Sequence, residues 1–189
     1  PIQFLFIGSM GYRKGTDLLL LALDRLRSEI DFRLTLIGFA ADTEFLARLK
    51  SRTSAELWER VSILRTPPTS EVIEHMGRAT MVLFPTRADT GPVAVKEAVI
   101  AGVPVIGSVM GGIPDYVAPG RNGFIFPTGD LEAFTDAIRK ACSHPLFSRG
   151  LVDPAALADV RERLSPRRMA DGFLRIYQGL AKGPASRTS

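Results

Sequence analysis

The sequence predicts an α/β protein with a doubly wound, mostly parallel sheet of about six strands and helices on both faces. Short apolar runs of strand type alternate with longer segments in which apolar residues recur every three or four positions. The alternation repeats about six times, and strands separated by helices indicate a parallel sheet with right-handed crossovers. Of the 189 residues, 46% are hydrophobic and 23% are charged, which is ordinary for one globular domain with a sizeable core.

The chain opens with the apolar run Ile2–Ile7, which is typical of a central strand buried on both faces. A glycine-rich loop, Gly8–Gly15, follows, and Thr16 and Asp17 begin a helix. This arrangement suits phosphate, because free backbone N–H groups and the positive end of the helix dipole meet at such a loop. The glycine spacing fits neither G-x-G-x-x-G nor a P-loop, which disfavours a nicotinamide dehydrogenase or an ATPase.

Strands and helices continue to alternate along the rest of the chain. Strands are predicted at 33–37, 61–64, 82–84, 103–106 and 124–126, and helices at 16–30, 42–60, 69–78, 93–101, 131–142, 154–164 and 165–180. A flexible loop is expected over 107–112, followed by a short helical turn at 113–117. Residues 1–182 are expected to form one domain, and residues 183–189 a flexible tail.

The central stretch, Val82–Gly112, is a strand–loop–helix–strand unit. Its helix is nearly all apolar, yet it carries Glu97, whose neighbours at helical spacing are also apolar. A carboxylate in such surroundings costs free energy unless it is paired. Glu97 is therefore either a buried structural residue or part of a binding site. Seven residues separate it from Asp89 in the preceding loop.

This acidic pair, followed by Gly-Val-Pro-Val at 102–105 and Gly-Gly-Ile-Pro at 111–114, resembles the retaining glycosyltransferases of group 1. These are GT-B, family 4-like enzymes with two Rossmann-like domains, and the resemblance is to the C-terminal, donor-nucleotide domain. It covers about residues 2 to 181. The usual family pattern is Glu-x7-Glu, where this chain has Asp89 as the first acid, and glycine is common where Pro92 stands.

The resemblance implies that Lys14 meets the donor diphosphate, Glu97 the ribose, and Asp89 the sugar hydroxyls, which makes these three the catalytic candidates. The family loop usually has Arg where this chain has Ser9, and Arg13 is the residue that could compensate. The further donor-binding candidates lie in loops that follow strands: Gly8, Ser9, Arg13, Gly15, Leu64, Arg65, Thr66, Thr90, Gly91, Pro92 and Val93. These loops and Gly111–Gly112 are expected to meet in one crevice, because ligands of doubly wound sheets bind at the carboxyl ends of the strands.

The predicted function is the donor-binding half of an enzyme that moves a hexosyl-type group from a nucleoside-diphosphate sugar to an acceptor. By the resemblance, the enzyme retains anomeric configuration, needs no metal or other cofactor, and has an N-terminal acceptor domain that this chain lacks. The chain alone is therefore expected to transfer no sugar. Two alternatives stay open: a nucleotide-sugar-binding module that has lost catalysis, and a nucleotide-sugar epimerase or phosphorylase of similar fold.

Charge and cysteine content bear on partners and location. The net charge of +4 and the pI of about 9.6 allow a nucleotide, another polyanion or an acidic membrane surface as partner. We predict a nucleotide-sugar ligand and no nucleic-acid partner. A single cysteine, Cys142, excludes an intrachain disulfide, and with two histidines it forms no zinc cluster. We predict a cytoplasmic protein and leave open a peripheral association with the inner face of the membrane.

Overall fold

A computed structural model describes residues 1–40 and 42–181 of the chain. The predicted tail at 183–189 lies outside the described residues, as does the predicted domain boundary at 182. No helix in the described part of the chain is long and apolar enough to cross a lipid bilayer.

Six strands form one parallel sheet in the spatial order β3-β2-β1-β4-β5-β6. The strands are β1 (Ile2–Ile7), β2 (Phe32–Ile37), β3 (Val61–Leu64), β4 (Met81–Phe84), β5 (Val105–Ser108) and β6 (Gly123–Phe126). The predicted doubly wound α/β fold is confirmed, and its strand order is that of a Rossmann-like sheet. The direction of winding reverses between β1 and β4, so the loops that follow these two strands lie side by side.

The helices cover both faces of the sheet. They are α1 (Thr16–Leu26), α2 (Thr43–Lys50), α3 (Ala55–Trp58), α4 (Thr69–Arg78), α5 (Val93–Ala101), α6 (Ile113–Tyr116), α7 (Leu131–Cys142), α8 (Pro154–Arg163) and α9 (Pro166–Ala181). Successive side chains of β1 point to opposite faces, as the pleat requires. Phe4 and Phe6 pack in one core cluster with α1, α2, α3 and α7, whereas Leu5 packs in the other with α4, α5, α6 and α8.

Several predicted elements differ from the structure, and the helix predicted over 16–30 ends at Leu26. The single helix predicted over 42–60 is two helices, because Ser54 begins α3 afresh with its hydroxyl accepting from the Leu57 N–H at 3.3 Å. The strand predicted at 103–106 begins two residues later, after Pro104, which has no N–H to donate. Gly107 and Ser108, predicted as the start of a flexible loop, instead pair with Ile125 and Phe126 of β6.

Candidate functional site

A cavity of about 310 Å³ lies at the carboxyl ends of β1 and β4, where the sheet changes its direction of winding. Its walls come from the two strand ends, from the loops that follow them, and from the first turn of α5. The lining residues are Phe6, Ile7, Gly8, Lys14, Phe84, Thr86, Asp89, Pro92, Val93, Ala94 and Glu97. This is where parallel α/β sheets bind ligands.

Lys14 and Asp89 form an ion pair across this cavity, joining the loop after β1 to the loop after β4. Both side chains are largely shielded, with 21% and 12% of their surface exposed. Burial alone would raise the pKa of Asp89, but the hydrogen bond and charge of Lys14 and the amides of Gly91 and Thr90 outweigh it and lower that pKa. Near neutral pH the Asp89 carboxyl group is therefore charged, and an anionic ligand must compete with it for Lys14.

The two loops approach each other so closely that Gly15 has no room for a side chain. A Cβ at this position would lie 1.8 Å from the carbonyl oxygen of Pro85, and the φ angle of 72° is one that other residues rarely adopt. The hydroxyl of Thr16 accepts a hydrogen bond from the Gly11 N–H at 3.2 Å and so closes the loop on itself. The small residue at 15 is thus what allows the two loops to touch.

Helix α5 begins at the edge of the cavity, directly after Pro92, and no side chain of residues 1–40 or 42–181 caps its first turn. Val93 and Ala94, in that first turn, line the cavity. The first N–H groups of a helix have no partner within the helix and carry the positive end of its dipole. An anionic group in the cavity would therefore meet both Lys14 and the start of α5.

Glu97 lies one turn further along α5, at the rim of the cavity. Because its neighbours in the sequence are apolar, a buried structural role was open for Glu97. The structure excludes burial, because the residue is exposed. Its carboxylate also makes no hydrogen bond or ion pair with any of the described residues. The faces of α5 that are covered carry Val95, Ala98 and Val99 instead. The Glu97 carboxylate is therefore available to a ligand.

The structure brings together part of the predicted site. Six of the candidates line the cavity, namely Gly8, Lys14, Asp89, Pro92, Val93 and Glu97. Thr90 and Gly91 belong to the same loop as Asp89, and the Gly91 N–H donates to the Asp89 carboxylate at 3.2 Å. Gly111 does not line the cavity, but it lies against the same loop, since a Cβ there would be 2.3 Å from the Asp89 carbonyl oxygen.

Other predicted residues lie outside the cavity wall. Ser9, Arg13 and Gly15 are in the correct loop, but the Arg13 guanidinium donates to the Ala88 carbonyl oxygen at 3.2 Å on the exposed side and does not line the cavity. Leu64 is the last residue of β3, and Arg65 and Thr66 follow it. Strand β3 is separated from β1 by β2. Thr66 has a φ of 44°, an unusual backbone conformation for a β-branched residue. Contact between these three residues and a donor base stays a prediction.

Several residues of the cavity were not among the predicted site residues. The apolar part of the cavity wall comes from Phe6, Ile7, Phe84 and Ala94. Thr86 also lines the cavity and is buried, with its hydroxyl 3.2 Å from the carbonyl oxygens of Arg13 and Ala88. Phe6, Ile7, Phe84 and Thr86 lie at the carboxyl ends of β1 and β4, and that position was a usable signal, because ligands of parallel α/β sheets bind there. In the described part of the chain, no group of three or more His, Cys, Asp or Glu side chains could hold a metal ion.

Comparison with known proteins gives a consistent family result. The family model described as "Glycosyl transferases group 1" matches residues 1–154. The GDP-mannose-dependent alpha-(1-6)-phosphatidylinositol monomannoside mannosyltransferase of Mycolicibacterium smegmatis is 30% identical over 141 residues, which are 70% of this chain and 36% of that protein. The chain thus spans about a third of the length of such curated relatives.

Two solved structures share the fold of the chain. Sucrose-phosphate synthase from Thermosynechococcus elongatus aligns with a TM-score of 0.79 and 21% identity, over 97% of this chain and 46% of that one. HepE from Anabaena, solved in complex with UDP, aligns with a TM-score of 0.81 and 18% identity, over 94% of this chain and 49% of that one. At these identities the likeness shows the fold alone, and the chain corresponds to about half of each structure.

Proposed function

The chain belongs to the group 1 glycosyl transferases, and we propose that it binds the nucleoside-diphosphate sugar donor of a sugar-transfer reaction. The observation that carries the proposal is the cavity at the ends of β1 and β4. It combines one cation, the uncapped start of a helix and two carboxylates within a single wall. A nucleoside-diphosphate sugar presents the complementary groups: a diphosphate, a ribose and a sugar with several hydroxyls.

We assign the diphosphate to Lys14 and to the first turn of α5. When the bond between the sugar and the diphosphate breaks, the bonding electrons leave with the diphosphate, whose negative charge grows. Cations and preorganised N–H groups placed at that point stabilise the transition state more than the ground state. The proposed chemistry gives this task to Lys14 and backbone amides rather than to a metal ion.

We assign the hydroxyl groups to the two carboxylates. Glu97 is exposed at the rim and free to accept hydrogen bonds from two ribose hydroxyls. Asp89 is paired with Lys14 in the donor-free chain. When the diphosphate attracts Lys14, Asp89 becomes able to accept from the sugar hydroxyls, so that one ion pair is exchanged for two contacts to the donor. Retention of anomeric configuration is part of this proposal and rests on the resemblance.

The transfer step also requires an acceptor, which we assign to a second domain outside this chain. Helix α9 supports this division. Six large apolar side chains along it are between 53% and 73% exposed: Met169, Phe173, Leu174, Ile176, Tyr177 and Leu180. The match to sucrose-phosphate synthase extends into this helix and leaves more than half of that chain unmatched. We propose that this apolar side of α9 packs against the second domain.

The proposal predicts that the 189-residue chain binds a nucleoside diphosphate weakly and transfers no sugar. Binding to half of a crevice gives up the contacts from the other side, and we expect dissociation constants of about 10 μM to 1 mM, or roughly −7 to −4 kcal/mol. Thermal-shift measurements with UDP-, GDP- and ADP-sugars identify the base, and calorimetry with the corresponding diphosphate gives the affinity. A radiolabelled-donor assay then compares this chain with a longer form that carries the second domain.

Each outcome of the assay has a clear meaning. Transfer by the longer form alone supports the proposal, whereas robust transfer by the 189-residue chain contradicts the division into halves. Binding without transfer by either form supports the second candidate, a binding module without catalysis. One feature of the site favours that candidate: Lys14 is the single cation among the described residues that line the cavity, because Ser9 takes the place of the arginine common in the family.

A further inference from the structure

The proposed diphosphate site is split between two loops, and this inference rests on that proposed function. Lys14 belongs to the loop after β1 and Asp89 to the loop after β4, 75 residues away in the sequence. Neither residue can be placed by its own loop alone. Whatever fixes the distance between the loops also fixes the position of the Lys14 ammonium group in the cavity.

The side chain of Arg87 spans the gap between these loops. Its two terminal nitrogens donate to the two carboxylate oxygens of Asp17, at 2.7 and 2.8 Å, and one of them also donates to the Tyr12 carbonyl oxygen at 2.7 Å. The guanidinium carbon lies 3.9 Å from the centre of the Tyr12 ring. The side chains of Arg87 and Asp17 are 18% and 16% exposed, so this ion pair is largely shielded from water.

The backbone around Arg87 adds to the same connection. The Arg87 N–H donates to the Arg13 carbonyl oxygen at 2.8 Å, and the Thr86 hydroxyl lies 3.2 Å from that oxygen. Tyr12 and Arg13 immediately precede Lys14, and Asp17, in the first turn of α1, follows it by three residues. Arg87 itself lies two residues before Asp89. Arg87 therefore contacts the segment that carries Lys14 both before and after Lys14 itself. It does so from the loop that carries Asp89.

We propose that Arg87 is a positioning residue of the diphosphate site, which holds Lys14 and Asp89 at the separation that donor binding requires. It is not a ligand, because it does not line the cavity and both of its terminal nitrogens are used by Asp17 and Tyr12. Lysine could not take its place. A lysine ammonium is a single point charge that cannot bridge two carboxylate oxygens and stack on an aromatic ring at the same time.

The test compares variants of Arg87 with a matched control elsewhere. Arg87→Leu removes the connection, and Arg87→Lys retains the charge but not the fork geometry. Arg139→Leu is the control, because Arg139 also makes a two-pronged contact with a carboxylate, that of Glu29, at 2.8 and 3.2 Å. That pair joins α7 to the segment after the C-terminal end of α1, the end opposite the cavity. Each variant is made with and without Lys14→Met.

The measurements are the dissociation constant for UDP, GDP or ADP, whichever binds the wild-type chain, and the melting temperature. We expect Arg87→Leu and Arg87→Lys to weaken binding by about tenfold, and Arg139→Leu to lower the melting temperature with binding unchanged. Lys14→Met should weaken binding at least tenfold in the wild-type chain and by a clearly smaller factor in the Arg87→Leu chain, because residues that act as one unit are not additive.

Several results would overturn the inference. If both Arg87 variants bind the diphosphate within twofold of wild type, Arg87 has no positioning role in the site, whether or not the melting temperature changes. An unchanged Lys14→Met penalty in the Arg87→Leu chain shows that Arg87 acts independently of Lys14. If Arg87→Leu fails to fold, the Arg87→Lys comparison decides. Failure of the proposed function is distinct: the wild-type chain then binds none of the three diphosphates, or Lys14→Met leaves binding intact.

Discussion

Replacing Lys14 by methionine should change both ligand binding and the pH dependence of stability, since Lys14 is paired with Asp89 in the free chain. Methionine keeps an unbranched apolar side chain and removes the charge. A hydrogen bond to a charged group contributes about 1.5–3 kcal/mol, and each 1.4 kcal/mol is tenfold in affinity. We therefore expect nucleoside diphosphate binding to weaken by about 10- to 100-fold.

The same substitution leaves Asp89 without its cation. Removing one partner of a fully buried pair costs about 3–5 kcal/mol. The Asp89 side chain remains 12% exposed and keeps the Gly91 N–H as a donor, so about 1–2 kcal/mol at pH 7 is the appropriate scale. The folded-state pKa of Asp89 is lowered. The stability due to the pair is therefore fully present above the unfolded pKa near 3.9 and is lost as the pH falls through the folded-state pKa.

The assay is urea unfolding of wild type and Lys14→Met from pH 7 to pH 2, alongside calorimetry at pH 7. The stability difference should be largest at neutral pH and should vanish once Asp89 is protonated in both chains. Lys96→Met is the matched control, because Lys96 lies on α5 beside Glu97, has the Tyr116 ring 5.4 Å from its ammonium, and does not line the cavity. Equal binding by the two variants would contradict the role of Lys14 in the site, and a stability difference independent of pH would contradict its pairing with Asp89.

Two further substitutions test the geometry of the site. Glu97→Gln should weaken nucleoside diphosphate binding in calorimetry while the free energy of unfolding stays within about 0.5 kcal/mol, as for other exposed positions; loss of stability with unchanged affinity would instead support a structural glutamate. Gly15→Ala should destabilise the chain by about 2–5 kcal/mol in urea unfolding, since left-handed backbone strain and overpacking against Pro85 add together. Its control is Gly172→Ala in α9, because a Cβ at that position has nothing within 4 Å. This control should stabilise the chain by up to about 1 kcal/mol, since alanine favours a helix more than glycine does. Equal effects of the two alanines would contradict the close approach of the loops.

The elements that the sequence predicted well are those whose signal is local. The apolar run of β1 and the apolar spacing and terminal glycine of α5 are patterns within one segment, and α5 begins and ends where predicted. The errors occurred where a local pattern continued across a boundary. The 42–60 segment has helical spacing throughout, yet the side-chain cap at Ser54 restarts the helix. Residues 107–108 resemble a loop in composition, but β6 supplies pairing partners that no local pattern contains.

The candidate site shows the same limit. Lys14, Asp89 and Glu97 were identified from their own loops and helix, and the structure places all three in one cavity. The exposure of Glu97 could not be predicted, because helical periodicity gives the side on which a residue lies and not what covers that side. The alternation of strands and helices likewise predicts a parallel sheet without predicting which strands are neighbours.

The fold class, the glycine-rich loop at Gly8–Gly15 and the acidic pair at 89 and 97 could be read from the sequence, because they depend on residue types at short spacing. The tertiary structure decided that β1 and β4 are adjacent, and with it every contact that joins their loops. The Lys14–Asp89 pair and the Arg87–Asp17 pair span 75 and 70 residues. Side chains so distant in the chain come into contact only because burial of the sheet on both faces makes the two strands neighbours. The spacing of residues within either segment contains no information about that contact.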